Sequence, residues 1–239
     1  MERAHEGFAS SFRAAKSLTA VKYKLIALDF DGVIVESVLI KDRAFQDLFG
    51  RFPAHLDEIM AYHRSHHAVI RFEKFRHIFN HILKKPYTDD IEKELADRFH
   101  KDIIHQMLAC PFVKGAEAFL EFFSQQVPLY LISISPADEL NDILKQRKLN
   151  AYFKEVYAVP WKKKDALLDI QRKEQVSSGE IIFIGDSPED QKAASEAGVD
   201  FLARQSQNQM PNETSPLFDD LEAAHSWLLK RMSAYESAH

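Results

Sequence analysis

Short apolar runs alternate along this chain with segments in which apolar residues recur every three or four positions. Four of the runs have the length and composition of buried strands, at 23–28, 128–132, 156–160 and 181–184. Strands buried on both faces of a parallel sheet have this nearly continuous apolar character. The intervening segments have the periodicity of amphipathic helices. The alternation predicts an α/β fold built on a doubly wound, Rossmann-like parallel sheet.

Residues 37–110 interrupt the alternation, because they show helical periodicity and almost no strand pattern. A connection of this length is too long to be a plain loop. We therefore predict an all-helical domain at 37–110, inserted into a core formed by 21–36 and 111–239. The core is expected to end with a last strand at 200–204 and a terminal helix. Residues 1–20 are assigned to an N-terminal arm, whose apolar spacing is equally typical of a short helix and of a frayed tail.

Composition narrows the classes of function. The chain has 239 residues, 46% of them apolar, and a net charge of −5, so it lacks the basic character of a nucleic-acid-binding protein. No apolar run approaches the ~20 residues that span a bilayer, and the first twenty residues lack the apolar segment of a secretory signal. The single cysteine, Cys110, excludes an internal disulfide, as is common in reducing compartments. We expect a cytoplasmic protein, monomeric or homodimeric, without nucleic-acid or membrane partners.

Each predicted strand is followed by polar side chains that can carry chemistry. In chain order these are Asp29 with Asp31, Ser133, the lysines at 162–164, and Asp186 with Asp190. Because ligands bind outside the carboxyl ends of the strands in an open parallel sheet, these groups should meet in one crevice. Neighbouring carboxylates repel each other unless a cation lies between them. The set therefore predicts metal-assisted phosphoryl transfer.

Four motifs in this order resemble the pattern of the haloacid dehalogenase (HAD) superfamily. They are the DFDGV stretch Asp29–Val33, the strand-terminal Ser133, Lys163, and the GDSPED stretch Gly185–Asp190. One DxD stretch is a weak signal, whereas four motifs in order, each after a strand-like run, are a strong one. The resemblance extends over about 22–204 and is to the phosphatase branch. It implies that the helical insert is a cap that closes over the site and selects the substrate.

The resemblance assigns a role to each motif residue. Asp29 is the expected nucleophile, which forms an aspartyl-phosphate. Asp31 is the expected acid and base, which protonates the leaving oxygen and then activates water. Ser133 and Gly32 are expected to bind the phosphoryl group. Lys163 is expected to pair with Asp29 and to offset the charge of the transferring group.

The same resemblance implies a Mg²⁺ cofactor, a hard cation that prefers oxygen ligands. Its expected ligands are Asp29, the main-chain carbonyl of Phe30 and Asp186, with Asp31 and Asp190 assigned to the same metal site. Asp190 is expected to lie behind the direct ligands, where it would hold the lysine and metal-bound water in place.

The chain departs from the family pattern at one position, and two lysines compete for one role. Relatives with a Thr-Asn or Ser-Asn pair have Asn where this chain has Ile134, so the chain departs from the family pattern at a secondary polar contact. Lys163 is preferred as the active lysine, because Leu167 and Ile170 then fall at i+4 and i+7 and form a buried helical stripe. Lys164 is the alternative.

The insert is rich in basic groups. Eight of the eleven histidines fall within 37–110, together with Arg71 and Lys74. A cationic lid suits an anionic substrate, so Arg71 and Lys74 are predicted to bind it. His63 and His67 have the i, i+4 spacing of a helical metal site, but no glutamate lies between them and no third ligand is specified, so a histidine metal site is disfavoured.

Together these patterns predict a Mg²⁺-dependent phosphatase that acts on a small phosphorylated metabolite. A sugar-phosphate mutase shares both aspartates and stays an alternative, as does a non-catalytic binding module that retains the fold. A haloacid dehalogenase is disfavoured, because that branch needs no acid or base two residues after the nucleophile, and Asp31 is present.

Overall fold

A computed structural model describes residues 22–66, 69–208, 210 and 216–236, with side chains as far as 232. The arm predicted at 1–20 and the histidine at position 67 lie outside the described residues, so those predictions are not tested.

The core is a parallel sheet with the strand order β3-β2-β1-β4-β5-β6. The strands are Leu25–Leu28 (β1), Leu129–Pro136 (β2), Glu155–Val159 (β3), Ile181–Gly185 (β4), Asp200–Arg204 (β5) and Leu217–Phe218 (β6). Every residue of the central strands β1 and β4 is buried, which explains why their sequences are continuously apolar. The predicted α/β fold with a parallel sheet is confirmed.

Between β1 and β2 the chain forms a helical insert. Its helices are Val38–Phe49 (α1), Leu56–Ser65 (α2), Arg71–His77 (α3) and Asp89–Ala109 (α4), with a π-helical turn at Ile78–Ile82. Aromatic rings join α1, α3 and α4, because the ring centroid of Phe45 lies 5.6 Å from that of Phe75 and 5.8 Å from that of Phe99. The helical nature of the insert is confirmed, and its limits at 37 and 110 stay a prediction.

The remaining helices cover both faces of the sheet. They are Ala116–Phe123 (α5), Ala137–Gln146 (α6), Lys163–Glu174 (α7), Pro188–Ala197 (α8) and Leu221–Glu236 (α9). Successive β1 residues point to opposite faces: Ile26 shares a core with Phe119 of α5, and Ala27 shares a core with Leu167 of α7. This two-sided burial is that of a doubly wound sheet. No helix in the described ranges combines the length and apolarity needed to cross a membrane.

Two expected strand positions were wrong. β2 continues to Pro136, so Ser133 lies within the strand rather than after it. The alternation of serine and isoleucine after residue 132 resembles a polar break, yet Ser135 is also buried. The strand at 200–204 is not the last, because Leu217–Phe218 pairs with it and the terminal helix begins only at Leu221. A two-residue strand is too short to show a periodicity.

Candidate active site

The pairing of β1 with β4 brings two distant aspartates together. Leu28 pairs with Ile184, and the Asp29 amide donates a 2.9 Å hydrogen bond to the Ile184 carbonyl. Asp29 and Asp186 therefore follow adjacent strand ends, and both side chains are almost completely buried. The sheet register alone accounts for their proximity.

Asp190 joins this pair through the N-terminal cap of α8. The Ser187 hydroxyl accepts a 3.2 Å hydrogen bond from the Asp190 amide. Asp190 Oδ2 in turn accepts hydrogen bonds from the Ser187 amide at 3.2 Å and the Ser187 hydroxyl at 2.7 Å. With Pro188 in the first turn, this is a capping box in which aspartate takes the place of glutamate. The box fixes Oδ2 and leaves Asp190 Oδ1 for the site.

Lys163 supplies the counter-charge. Its Nζ lies 2.7 Å from Asp29 Oδ2 and 2.5 Å from Asp190 Oδ1. Burial alone would lower the pKa of Lys163, but the two carboxylates outweigh it and hold that pKa above its usual value. The side chain of Lys164 is 44% exposed and lies 3.5 Å from Glu196. The geometry therefore favours Lys163 over Lys164 as the lysine of the site.

The acids outnumber this single ammonium. Asp29, Asp186 and Asp190 each place an oxygen within 4.8 Å of the others. Burial raises the pKa of Asp29 to about 7, although Lys163 opposes the rise and Asp190 adds to it. Burial, and then the Asp29 charge, also raise the pKa of Asp186 well above its usual range. A crowded set of buried oxygen donors of this kind fits a hard divalent cation such as Mg²⁺.

The carboxylate of Asp31 lies outside this oxygen cluster of the described residues. Its Oδ1 accepts a 2.5 Å hydrogen bond from the Ser37 hydroxyl, and its Oδ2 pairs with the ammonium of Lys41 on α1. Lys41 also donates to the Ser135 hydroxyl at 3.1 Å. Sequence reasoning missed Lys41, for which the only available signal is its position one helical turn after Ser37.

The turn after β1 engages the carbonyl of Phe30. That oxygen accepts hydrogen bonds from the amides of Ile34 at 2.9 Å and Val35 at 3.3 Å. A carbonyl oxygen has two lone pairs, so this pairing argues against Phe30 as a metal ligand. Gly32 has a φ of +71°, and a Cβ there would lie 1.9 Å from Asp186 Oδ2. Only glycine allows the turn to approach the acid this closely.

Ser133 and its neighbours form the β2 side of the site. Ser133 is buried, and its hydroxyl accepts a 3.1 Å hydrogen bond from the Ser135 amide. The adjacent cavity is lined by Ile134 and Ser135 rather than by Ser133. The phosphoryl-binding role of Ser133 therefore stays a prediction. Asn208, which sequence reasoning missed within a polar loop, donates a 2.8 Å hydrogen bond to Asp186 Oδ2.

A cavity of about 110 Å³ lies between the sheet end and the insert. Arg71 and Lys74, the two predicted substrate-binding residues of the insert, both line it, as does Lys41. Arg71 also bridges the insert to the core, because its Nη2 lies 2.5 Å from Oε2 of Glu139 on α6. Asp29, Asp31, Lys163 and Asp186 line the same cavity, so predicted residues of the core and of the insert face one space.

Comparison with known proteins agrees with this arrangement. Residues 26–204 match the family of haloacid dehalogenase-like hydrolases. A phosphoglycolate phosphatase of Vibrio parahaemolyticus is 29% identical over 194 residues, which cover 76% of this chain and 83% of the relative.

Solved structures show the same fold. A predicted phosphoglycolate phosphatase from Haemophilus somnus superposes with a TM-score of 0.70 at 17% identity, covering 86% of this chain and 98% of that one. The HAD-hydrolase YfnB of Bacillus subtilis, solved bound to magnesium, superposes with a TM-score of 0.67 at 18% identity, covering 87% and 99%. The family match includes all four motifs and most of the chain. The chain therefore belongs to the haloacid dehalogenase-like hydrolases and resembles the phosphatases among them.

Proposed function

We propose that this hydrolase is a Mg²⁺-dependent phosphatase that cleaves a small phosphorylated metabolite through an aspartyl-phosphate at Asp29. The observation that carries the proposal is the buried Asp29 carboxylate, held 2.7 Å from Lys163 beside two further carboxylates at the cavity. Phosphoglycolate, for which the relatives are named, is the first candidate substrate.

The proposed Mg²⁺ ligands are the carboxylates of Asp29 and Asp186 and the main-chain oxygen of Asp31. No donor from the described part of the chain bonds to that Asp31 oxygen, so it replaces the Phe30 oxygen in this proposal. Asp190, whose oxygens are engaged by Ser187 and Lys163, orients the cluster from behind. When bound, Mg²⁺ supplies positive charge that offsets the acids and the phosphoryl oxygens.

The chain's own groups divide the reaction into two displacements. In the first, an Asp29 oxygen attacks phosphorus, the bond from phosphorus to the leaving oxygen breaks, and Asp31 gives that oxygen a proton. In the second, Asp31 takes a proton from water, the water oxygen attacks phosphorus, and the bond to Asp29 breaks to release phosphate. Lys163 stays charged throughout and offsets the negative charge of the transferring group.

Hydrogen bonds to both of its oxygens hold Asp31 in place, and each oxygen keeps a second lone pair for the proton that Asp31 exchanges with the leaving oxygen and with water. Both of its oxygens accept hydrogen bonds, from Ser37 and from Lys41 of the insert. We therefore propose that Lys41 positions Asp31. Because Lys41 belongs to the insert, the orientation of the proposed acid and base, Asp31, then depends on where the insert lies over the site.

Phosphate release from a panel of phosphorylated metabolites, with Mg²⁺ or with EDTA, tests the function. We expect Mg²⁺-dependent turnover by the wild type and by the control Asp97→Asn, which changes an exposed acid of α4. Asp29→Asn should show none. Absence of hydrolysis of every phosphoester with Mg²⁺ would instead favour a binding module. A lasting phospho-enzyme that requires a bisphosphate would favour a mutase.

A further inference from the structure

The cavity contains a buried ammonium that has no carboxylate partner among the described residues. Lys74 is 4% exposed and lines the cavity. Its Nζ lies 3.3 Å from the main-chain oxygen of His63 and 3.5 Å from the Nδ1 of the same residue, and no described carboxylate forms an ion pair with it. The other lysines of the cavity, Lys41 and Lys163, each pair with an acid of the site.

This placement of Lys74 is costly for the protein alone. Burial, and then the nearby Lys41 ammonium, lower the pKa of Lys74 to about 8, against the weaker opposite effects of Asp42 and Glu189. A buried charge is normally paired, because its desolvation is otherwise uncompensated. The Lys74 ammonium therefore needs an anionic partner, and the described part of the protein does not supply one.

Arg71, three residues earlier on α3, also lines the cavity and has an unsatisfied donor. Its Nη2 pairs with Glu139, and its guanidinium lies 4.9 Å from the ring centroid of Phe99. Its Nη1 is buried and has no hydrogen-bond partner among the described residues. Residues three apart on a helix are neighbours on one face. One face of α3 thus carries an ammonium without a counter-charge, at Lys74, and an unsatisfied donor, at Arg71.

We propose that Lys74 and Nη1 of Arg71 form a subsite for a second anionic group, a carboxylate or a phosphate, at the end of the substrate remote from the transferred phosphate. The inference rests on the proposed function and specifies its substrate class. An anion in this subsite pairs with the Lys74 ammonium and completes the hydrogen bonds of Arg71. A cavity of about 110 Å³ suits a compound with a short spacer between its two anions.

Matched substrates test the subsite. We would measure kcat/KM for 2-phosphoglycolate, for ethyl phosphate, which has the same spacer without the second anion, and for ethanediol bisphosphate. Lys74→Met should lower the ratio of kcat/KM for phosphoglycolate to that for ethyl phosphate by about 10- to 100-fold, the effect of losing a charge-assisted hydrogen bond. Lys93→Met, which changes an exposed lysine of α4, should keep the wild-type ratio.

The remaining outcomes are also decisive. A wild-type preference for the bisphosphate over phosphoglycolate would identify phosphate as the second anion, and the reverse preference a carboxylate. The subsite would be overturned if the wild-type ratio of kcat/KM for phosphoglycolate to that for ethyl phosphate were near one. It would also be overturned if Lys74→Met left this ratio unchanged. The wild-type ratio decides alone if the variant does not fold. If the enzyme hydrolyses ethyl phosphate with Mg²⁺ but does not prefer substrates that carry a second anion, the proposed subsite is wrong and the proposed phosphatase activity is supported. If no phosphoester is hydrolysed, both fail.

Discussion

The Nζ of Lys163 lies 2.7 Å from Oδ2 of Asp29, although Lys163 begins a helix after β3 and Asp29 follows the central strand β1. The contact joins the only ammonium of the carboxylate cluster, among the described residues, to the proposed nucleophile. It holds the attacking group in place and compensates part of a crowded negative charge.

Replacement of this lysine should therefore be costly for stability as well as for activity. Lys163→Met leaves Asp29 and Asp190 buried without their ammonium, and the loss of one partner of a buried pair costs about 3 kcal/mol or more. Lys164→Met, at a half-exposed position, should change the unfolding free energy by less than about 0.5 kcal/mol. Urea denaturation in EDTA measures both values. Equal, small effects would contradict the assignment of Lys163.

The proton-transfer role of Asp31 predicts a dependence on the leaving group. Asp31→Asn should slow hydrolysis of an alkyl phosphate by about 10²- to 10⁴-fold, the usual contribution of a general acid or base. Nitrophenyl phosphate needs little protonation of its leaving oxygen, so its first step should suffer less and phospho-enzyme should accumulate. Single-turnover kinetics separate the two steps. If Asp31→Asn slowed the phosphorylation of Asp29 by the same factor for both esters, the result would exclude Asp31 as the group that protonates the leaving oxygen.

The burial of Lys74 predicts a pH-dependent cost in stability. The groups around it are Lys41 and Asp42 of α1, His63 of α2 and Glu189 of α8. Because its pKa is lowered to about 8 from an ordinary 10.5, the folded state disfavours the ammonium. The cost is fully present below pH 8 and fades as the pH rises towards 10.5.

Lys74→Met should accordingly be more stable than the wild type by about 1–3 kcal/mol at pH 7, and the gain should shrink by pH 10. Denaturant unfolding at the two pH values measures the difference, with Lys93→Met as the control. A variant that is less stable at pH 7, or a gain that does not change with pH, would show that the ammonium is compensated in the free protein.

The motif residues could be predicted because sheet topology brings them together. Asp29 and Asp186 follow strand ends, and Asp190 is fixed by a local capping box, so sequence pattern and elementary geometry suffice for them. Lys163 could be predicted for the same reason, because it begins the helix that comes after a strand.

The residues that face the site from the insert could not be predicted in this way. The position of Lys41 beside Asp31 depends on how α1 packs through Phe45 against the other helices, and no motif marks that arrangement. The engagement of the Phe30 carbonyl depends on the hydrogen bonds of one turn, which the letters DFDGV do not specify. Arg71 and Lys74 were predicted by charge alone, and only the fold shows the unsatisfied donor of Arg71 and the buried charge of Lys74.

Chemical trapping of the covalent intermediate tests the nucleophile most directly. Borohydride reduces an aspartyl-phosphate to homoserine, which changes the mass of the peptide that contains position 29. With Mg²⁺ and a hydrolysed substrate, the wild type should show this change at position 29 alone, and Asp29→Asn should show neither the change nor turnover. Multiple turnover by Asp29→Asn, or trapping of the phosphoryl group at another residue, would contradict the proposed mechanism.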